Sequence, residues 1–288
     1  MNTAPLYNPP TDVVLSVFAQ SDVGMARKAN EDTYLIADLT TGNTEQEANV
    51  STYKVGERGS LLMVSDGMGG HRAGDVASMM ASSTMLETLM RLEPERNPLE
   101  RLAEATRVTN DVVWNYAGSH PELAGMGTTL TAVMVEGAMA YISQVGDSRA
   151  YLIRNNEIYQ LTKDQSLVQL LLDSGRIKLE EADRYPNNVI TQAIGADAKL
   201  RPALSQLTLE RNDYLLICSD GLTNKVSDAE MLQIVRASVS LDVACRRLVN
   251  LANDRGGEDN ITVIIARFDG EALNSSGSRH SANLRRAS

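Results

Sequence analysis

A chain of 288 residues, 43% hydrophobic and 22% charged, has the composition of a globular protein with one large core, and no apolar run approaches the length that spans a bilayer. A formal net charge of −10 argues against a general nucleic-acid binder, since phosphate backbones demand a basic surface, and three histidines argue against a histidine-rich transition-metal site. Cys218 in an apolar run and Cys245 in a helical pattern read as core residues of a reducing compartment; MNTAPLYNPPTDVV lacks the features of a secretory leader, so a cytoplasmic location is expected.

No break in composition divides the chain, which predicts a single domain over 12–269 between a flexible arm (1–11, with Pro5, Pro9 and Pro10) and a disordered, small, polar and basic tail (270–288). The first strand signal covers 13–19 and the second 33–37, with Arg27, Asn30, Glu31 and Asp32 clustered between them. Taken alone, that cluster reads as a surface ion pair. The polar stretch 39–60, with Gly42, Gly56 and Gly59, reads as a hairpin-like connection lengthened by a mobile loop. Leu61, Leu62, Met63 and Val64 then deliver Asp66 to a turn rich in glycine (Gly67, Gly69, Gly70), and a helical pattern begins at Asp75. An ordinary Asp-Gly turn is the alternative reading of this stretch by itself.

Val76, Met79, Met80, Ser83, Leu86 and Met90 fall at helical spacing, the methionines serving as core filler. Asn97 caps a second helix with Pro98 at its first position, and Leu99, Leu102, Ala103, Thr106, Val113 and Tyr116 form its inner stripe. From Gly127 the period changes to two. The segments TTLTAVMVE and AMAYISQVGDSRAYLIRNNEIYQL predict a meander of antiparallel strands, with Asp147 at its centre beside Gly146. Residues 163–200 combine a short helical pattern with Gly175 and Pro186 and read as an excursion from the main sheet. Strands follow at 204–209 and 214–219, the latter running into Cys218-Ser219-Asp220-Gly221. Ser227 and Glu230 make a capping-box pattern for a helix through 235, another helix covers 241–252, and Asp259 immediately precedes a last strand at 261–268.

Glu31, Asp66, Asp147, Asp220 and Asp259 thus each lie at or beside the end of a predicted strand. Strand ends of a layered sheet structure can converge on one edge, where carboxylates repel unless protonated or bound to cations. An oxygen-rich site suits Mg²⁺ or Mn²⁺ and not zinc, and two such ions about 3.5–4 Å apart activate a shared water for attack on phosphorus.

RKANED, SDGMGGH, GTTLT, GDSRAYL, CSDG and GGEDNITV occur together and in this order. Over residues 16–268 the chain resembles the metal-dependent type-2C protein serine/threonine phosphatases, most of all their bacterial members. The resemblance implies an α+β fold, a four-layer α-β-β-α sandwich of two antiparallel sheets flanked by helices. It implies that Asp66 bridges two ions, with Asp220 and Asp259 completing the first site and Glu31 and the Gly67 carbonyl the second. Asp147, sharing Asp220, resembles a ligand of a third, weaker ion; Asp32 would orient a water; Arg27 would grip the substrate phosphate. Arg27, Asp66 and Asp220 are the expected catalytic residues, water attacks in line, and no phosphoenzyme is required.

One departure concerns Met68, where many eukaryotic relatives carry a histidine proposed as general acid; His71 lies nearby, but its alternative role at a helix start leaves the acid unassigned. Residues 163–200 match the family's flap, which borders the substrate cleft. The resemblance further implies phosphorylated proteins as substrates, namely the targets of a bacterial serine/threonine kinase and the kinase itself, acted on by a monomer with no nucleic-acid or membrane partner. The rivals are a phosphoprotein-binding module without turnover and a hydrolase of small phosphate esters. Arg285-Arg286-Ala287-Ser288 resembles a basophilic kinase site and is also the composition of a solvated tail.

Overall fold

Runs such as Leu61-Leu62-Met63-Val64 are apolar on every residue because both faces of the strand are covered. In the computed structural model, which describes residues 12–44, 49–69, 73–186, 188–275 and 284–286, Leu62 and Val64 enter a core between two sheets while Leu61 and Met63 pack under helices. The same division recurs at Leu215 and Ile217 against Leu216 and Cys218. This double burial defines the four layers.

The elements in chain order are β1 (Val14–Asp22), β2 (Asp32–Asp38), β3 (Ser51–Lys54), β4 (Ser60–Met68), α1 (Ala73–Arg91), α2 (Pro98–Ser119), β5 (Gly127–Thr128), β6 (Leu130–Glu136) and β7 (Met139–Val145). There follow β8 (Arg149–Arg154), β9 (Glu157–Gln160), α3 (Leu167–Asp173), β10 (Ala203–Thr208), β11 (Tyr214–Cys218), α4 (Asp220–Thr223), α5 (Asp228–Ala237), α6 (Leu241–Asp254), β12 (Ile261–Asp269) and β13 (Arg285–Arg286). One antiparallel sheet runs β3-β1-β12-β11-β8-β9 and the other β13-β10-β7-β6-β4-β2, with β5 beside β4. Helices α5 and α6 cover the first sheet, and α1 and α2 cover the second. The expected α-β-β-α sandwich is therefore the fold. The caps also stand as read: Asn97 Oδ1 accepts from the Leu99 amide at 2.9 Å, and Ser227 with Glu230 closes a capping box on α5.

The buried face of α1 is not the stripe read from sequence, since Met79 is exposed and Ala77, Ala81, Met85 and Leu89 fill the core instead. Four further details differ from the sequence reading. The meander is split, because β6 and β7 belong to one sheet while β8 and β9 belong to the other. The chain changes sheets at residues 146–148, where Gly146 takes φ +96° and a Cβ would lie 2.7 Å from Thr129 Cγ2. Alternation in sequence specifies a buried face but not which sheet supplies the neighbour. Second, β4 continues straight through Asp66 and Gly67 to Met68 and does not turn there. Gly67 is required by close approach: a Cβ would sit 2.2 Å from the Gly74 carbonyl oxygen and 2.7 Å from that of Glu31. Third, the connection 39–60 contains β3, an edge strand paired with β1.

Fourth, part of the tail expected to be disordered has a defined place. Leu273 is buried, the Arg211 amide donates to the Asn274 carbonyl at 2.9 Å, and Arg285 and Arg286 pair with β10. Composition is blind to this, since an open sheet edge supplies the hydrogen-bonding partners. Gly70, His71 and the arm 1–11 lie outside the described residues. Among the described residues no helix is long and apolar enough to cross a membrane. Cys218 and Cys245 are free and buried.

Candidate metal centre

β2 pairs with β4 so that Asp32 stands opposite Asp66. The backbone of Asp66 is fully engaged: its amide donates to Thr129 Oγ1, and its carbonyl accepts from the Thr129 amide and Thr128 Oγ1, all at 2.9 Å. Only the carboxylate is left to act. The sheet-changing turn brings in Asp147, anchored where the neighbouring Ser148 Oγ meets Thr129 Oγ1 at 2.7 Å. Asp220 opens α4 directly after β11, and Asp259 stands just before β12.

Glu31 arrives on the loop before β2. Asn260 holds that loop at three points: its Oδ1 accepts from the Glu31 amide at 2.8 Å, and its Nδ2 donates to the carbonyls of Val23 (2.9 Å) and Ala29 (3.0 Å). The Glu31 carbonyl in turn accepts from the Gly67 amide at 3.2 Å and from Ser78 Oγ at 2.7 Å. The loop is thereby fixed to both sheets and to α1.

Glu31, Asp66, Gly67, Asp147, Asp220, Asp259 and Arg27 line one cavity of about 210 Å³. Asp32 is buried behind it, with Oδ2 accepting from Ser219 Oγ at 2.7 Å. Two other cavities, of 360 and 640 Å³, are larger, but the acidic cluster faces neither, so size does not locate the chemistry here. Among the described residues no three acidic, histidine or cysteine side chains close round one point as a finished metal cage. The acids instead line a wall, which suits hard cations that retain several waters.

Electrostatics tests that fit. Burial, and then repulsion from Asp32, Asp220, Asp259 and Asp147, hold the Asp66 carboxyl well above the usual carboxylate range. Burial pushes Asp147 up to about 7, with Asp220 and Asp164 adding to the shift. Asp32 also rises to about 7, chiefly through burial, although its bond from Ser219 opposes the change. Asp220 is raised by burial and by Asp259. Oδ1 of Asp32 and Oδ1 of Asp220 are buried without a hydrogen-bond donor. Buried carboxylates that repel one another and lack donors are a site for cations, and the donor set is all oxygen, as Mg²⁺ and Mn²⁺ prefer.

All the expected residues come together, Asp32 through its hydrogen bond and the others on the cavity wall. Arg27 is half-exposed and donates through Nη2 to Asp259 Oδ2 at 2.8 Å, so its guanidinium rests at the rim. Met68 lines the cavity, and no histidine among the described residues does so. Sequence reasoning missed Ser219, Thr129 and Asn260, which hold the acids, and Asn188 and Ile190, by which the flap reaches the cavity. Their only signal was adjacency: Ser219 precedes Asp220, and Asn260 follows Asp259.

The family model described as Protein phosphatase 2C matches residues 39–253. The serine/threonine phosphatase stp of Listeria welshimeri is 41% identical over 224 residues, 76% of this chain and 88% of that protein. The crystal structure of the Mycobacterium tuberculosis serine/threonine phosphatase PstP/Ppp superposes with a TM-score of 0.75 at 36% identity, covering 89% of this chain and 99% of that one. The catalytic domain of PstP in complex with two manganese ions gives 0.74 at 35% identity over the same shares, 89% and 99%.

Proposed function

Because the chain belongs to the protein phosphatase 2C family, we propose that the carboxylate-lined cavity is where it removes phosphate from phosphoserine and phosphothreonine in proteins. The chain is a metal-dependent serine/threonine protein phosphatase with a two-metal centre of Mn²⁺ or Mg²⁺. One observation carries the assignment of residues: five carboxylates from five separate strand ends line one cavity, and two of the site's acids keep a buried oxygen without a donor.

Asp66, Asp220 and Asp259 would hold one ion, and Asp66, Glu31 and the Gly67 carbonyl the other. Asp147 with Asp220 would hold a third, weaker one. Bound there, the ions supply a water acidified to near neutrality and positive charge opposite the phosphoryl oxygens. Asp32, with one oxygen fixed by Ser219 and its backbone paired opposite Asp66, would orient a water from behind the cavity wall. Arg27 lies at the rim on a half-exposed side chain, and its planar fork can leave Asp259 for two phosphate oxygens. Met68 offers no proton, so the leaving oxygen takes one from another source, such as a bound water.

The substrates are phosphoproteins, and the bacterial relatives support reading them as targets of a bacterial serine/threonine kinase, together with the kinase itself. A single catalytic domain is supported by the core shared between both sheets, and that core extends past residue 269 to take in Leu273. The free, buried Cys218 and Cys245 fit a reducing, cytoplasmic setting.

The test is phosphate release from a phosphothreonine peptide with Mn²⁺, with Mg²⁺ and with EDTA. Metal-dependent turnover that EDTA stops is the expected result; a folded protein inactive with both metals would overturn the reading in favour of a binding module.

A further inference from the structure

The 360 Å³ cavity opens between the flap and the edge of the second sheet. Its walls are Gln169, Leu170 and Asp173 of α3, Leu204 and Ser205 of β10, and Arg286 from the C-terminal end. Without β13, β10 would be the outermost strand: Ser205 pairs with Arg286 and Gln206 with Arg285, antiparallel. An outer strand's free amides and carbonyls take up another extended segment readily, and here the segment is the chain's own. Leu284 packs against the core between the sheets, which gives the segment an apolar anchor beside its two arginines. On the flap side, Asp173 receives hydrogen bonds from Lys163 Nζ (2.6 Å) and Gln169 Nε2 (2.9 Å). Those two bonds, foremost that from Lys163, hold its carboxyl below the usual range, and the charge of Arg286 adds to the shift.

We propose that the outer edge of β10 and this cavity form a docking site for the chain's own residues 284–286, and that the docked segment ties the flap helix α3 to the second sheet. The contact is built to be reversible. A two-residue ladder supplies few hydrogen bonds, each a modest net gain once water is displaced, and both arginines are exposed. Eight residues separate Ser275 from Leu284, a tether short enough to keep the segment near its site at about millimolar effective concentration. The flap reaches the carboxylate cavity through Asn188 and Ile190, so what holds α3 also bears on the mouth of that cavity. The inference rests on this placement and not on the chemistry of hydrolysis.

The experiment compares the intact chain, a chain lacking residues 284–288, and full-length Arg286→Glu. A fluorescent peptide with the sequence of residues 282–288 is titrated into each, and amide hydrogen exchange is followed across 163–173. Expected are peptide binding at least about tenfold tighter to the shortened chain than to the intact one, whose own tail competes, and exchange in α3 roughly threefold faster in both variants. Unchanged exchange in α3 overturns the proposal, whatever the peptide does. Equal peptide affinity for the intact and shortened chains also overturns it. Displacement by an unrelated Arg-Arg peptide at equal affinity would reassign the groove to basic segments of other proteins and overturn the assignment to this tail.

Discussion

The two ends of β8 both carry buried charge, and they treat it in opposite ways. At the far end Arg154 is enclosed, donating to both oxygens of Asp213 (2.8 and 2.5 Å), to Glu210 Oε1 (3.0 Å) and to the Thr208 carbonyl (2.8 Å). At the near end Asp147 joins Asp66, Asp220 and Asp32, and these acids meet mainly other acids. Where the chain supplies the counter-charge, burial is structural. Where it withholds the counter-charge, the missing partner must come from solution, and the strain that burial creates becomes affinity for that partner.

The comparison is broken most directly by making the same substitution at both ends. Asp66→Asn or Asp220→Asn should reduce hydrolysis roughly a thousandfold or more, several kcal/mol of charge stabilisation, in steady-state assays with Mn²⁺. The metal-free protein should lose no thermal stability, because a repelling charge has been removed. Asp213→Asn should do the reverse: chemical denaturation should show a loss of about 3–5 kcal/mol, while turnover per folded molecule holds. If both substitutions destabilise alike, the two ends are not different in kind.

Smaller effects sharpen the contrast. Ser219→Ala frees Asp32 and should weaken Mn²⁺ binding or activity by about 10–100-fold, read by titration calorimetry and kinetics. Arg27→Ala should raise KM by about tenfold with little change in stability, since its pair with Asp259 is largely exposed; unchanged KM and kcat would remove its role. Last is pH. Asp32 and Asp147 bind protons up to about pH 7 when folded but only to about 4 when unfolded, so between those values the folded state holds more protons. Stability of the metal-free protein should therefore be full below pH 4 as far as these two groups are concerned, and fall as pH rises through 7. Melting scans from pH 5 to 8 should show the decline, and saturating Mn²⁺ should flatten it.

Much of this was legible because it is local. The acids at 31, 66, 147, 220 and 259 declared themselves by standing beside apolar runs, and α2 and α5 by their caps at Asn97 and Ser227. The supports of the site were not legible. Ser219 reaches Asp32 across 187 positions of sequence, and Asn260 reaches Glu31 across 229. A hydroxyl or amide beside an acid has no local pattern that distinguishes it from a surface residue.

By itself, then, the sequence determined which residues are apolar on both faces, where helices start and which carboxylates end strands, because each of these follows from near neighbours. Only the tertiary structure decided which sheet each strand joins, so that β7 and β8 part at Gly146, β3 turns to β1 and β13 finds β10. Backbone pairing is chemically alike for every strand. Its choice is made by long-range packing of two sheets into one core, and that packing gathers five separate carboxylates into one cavity.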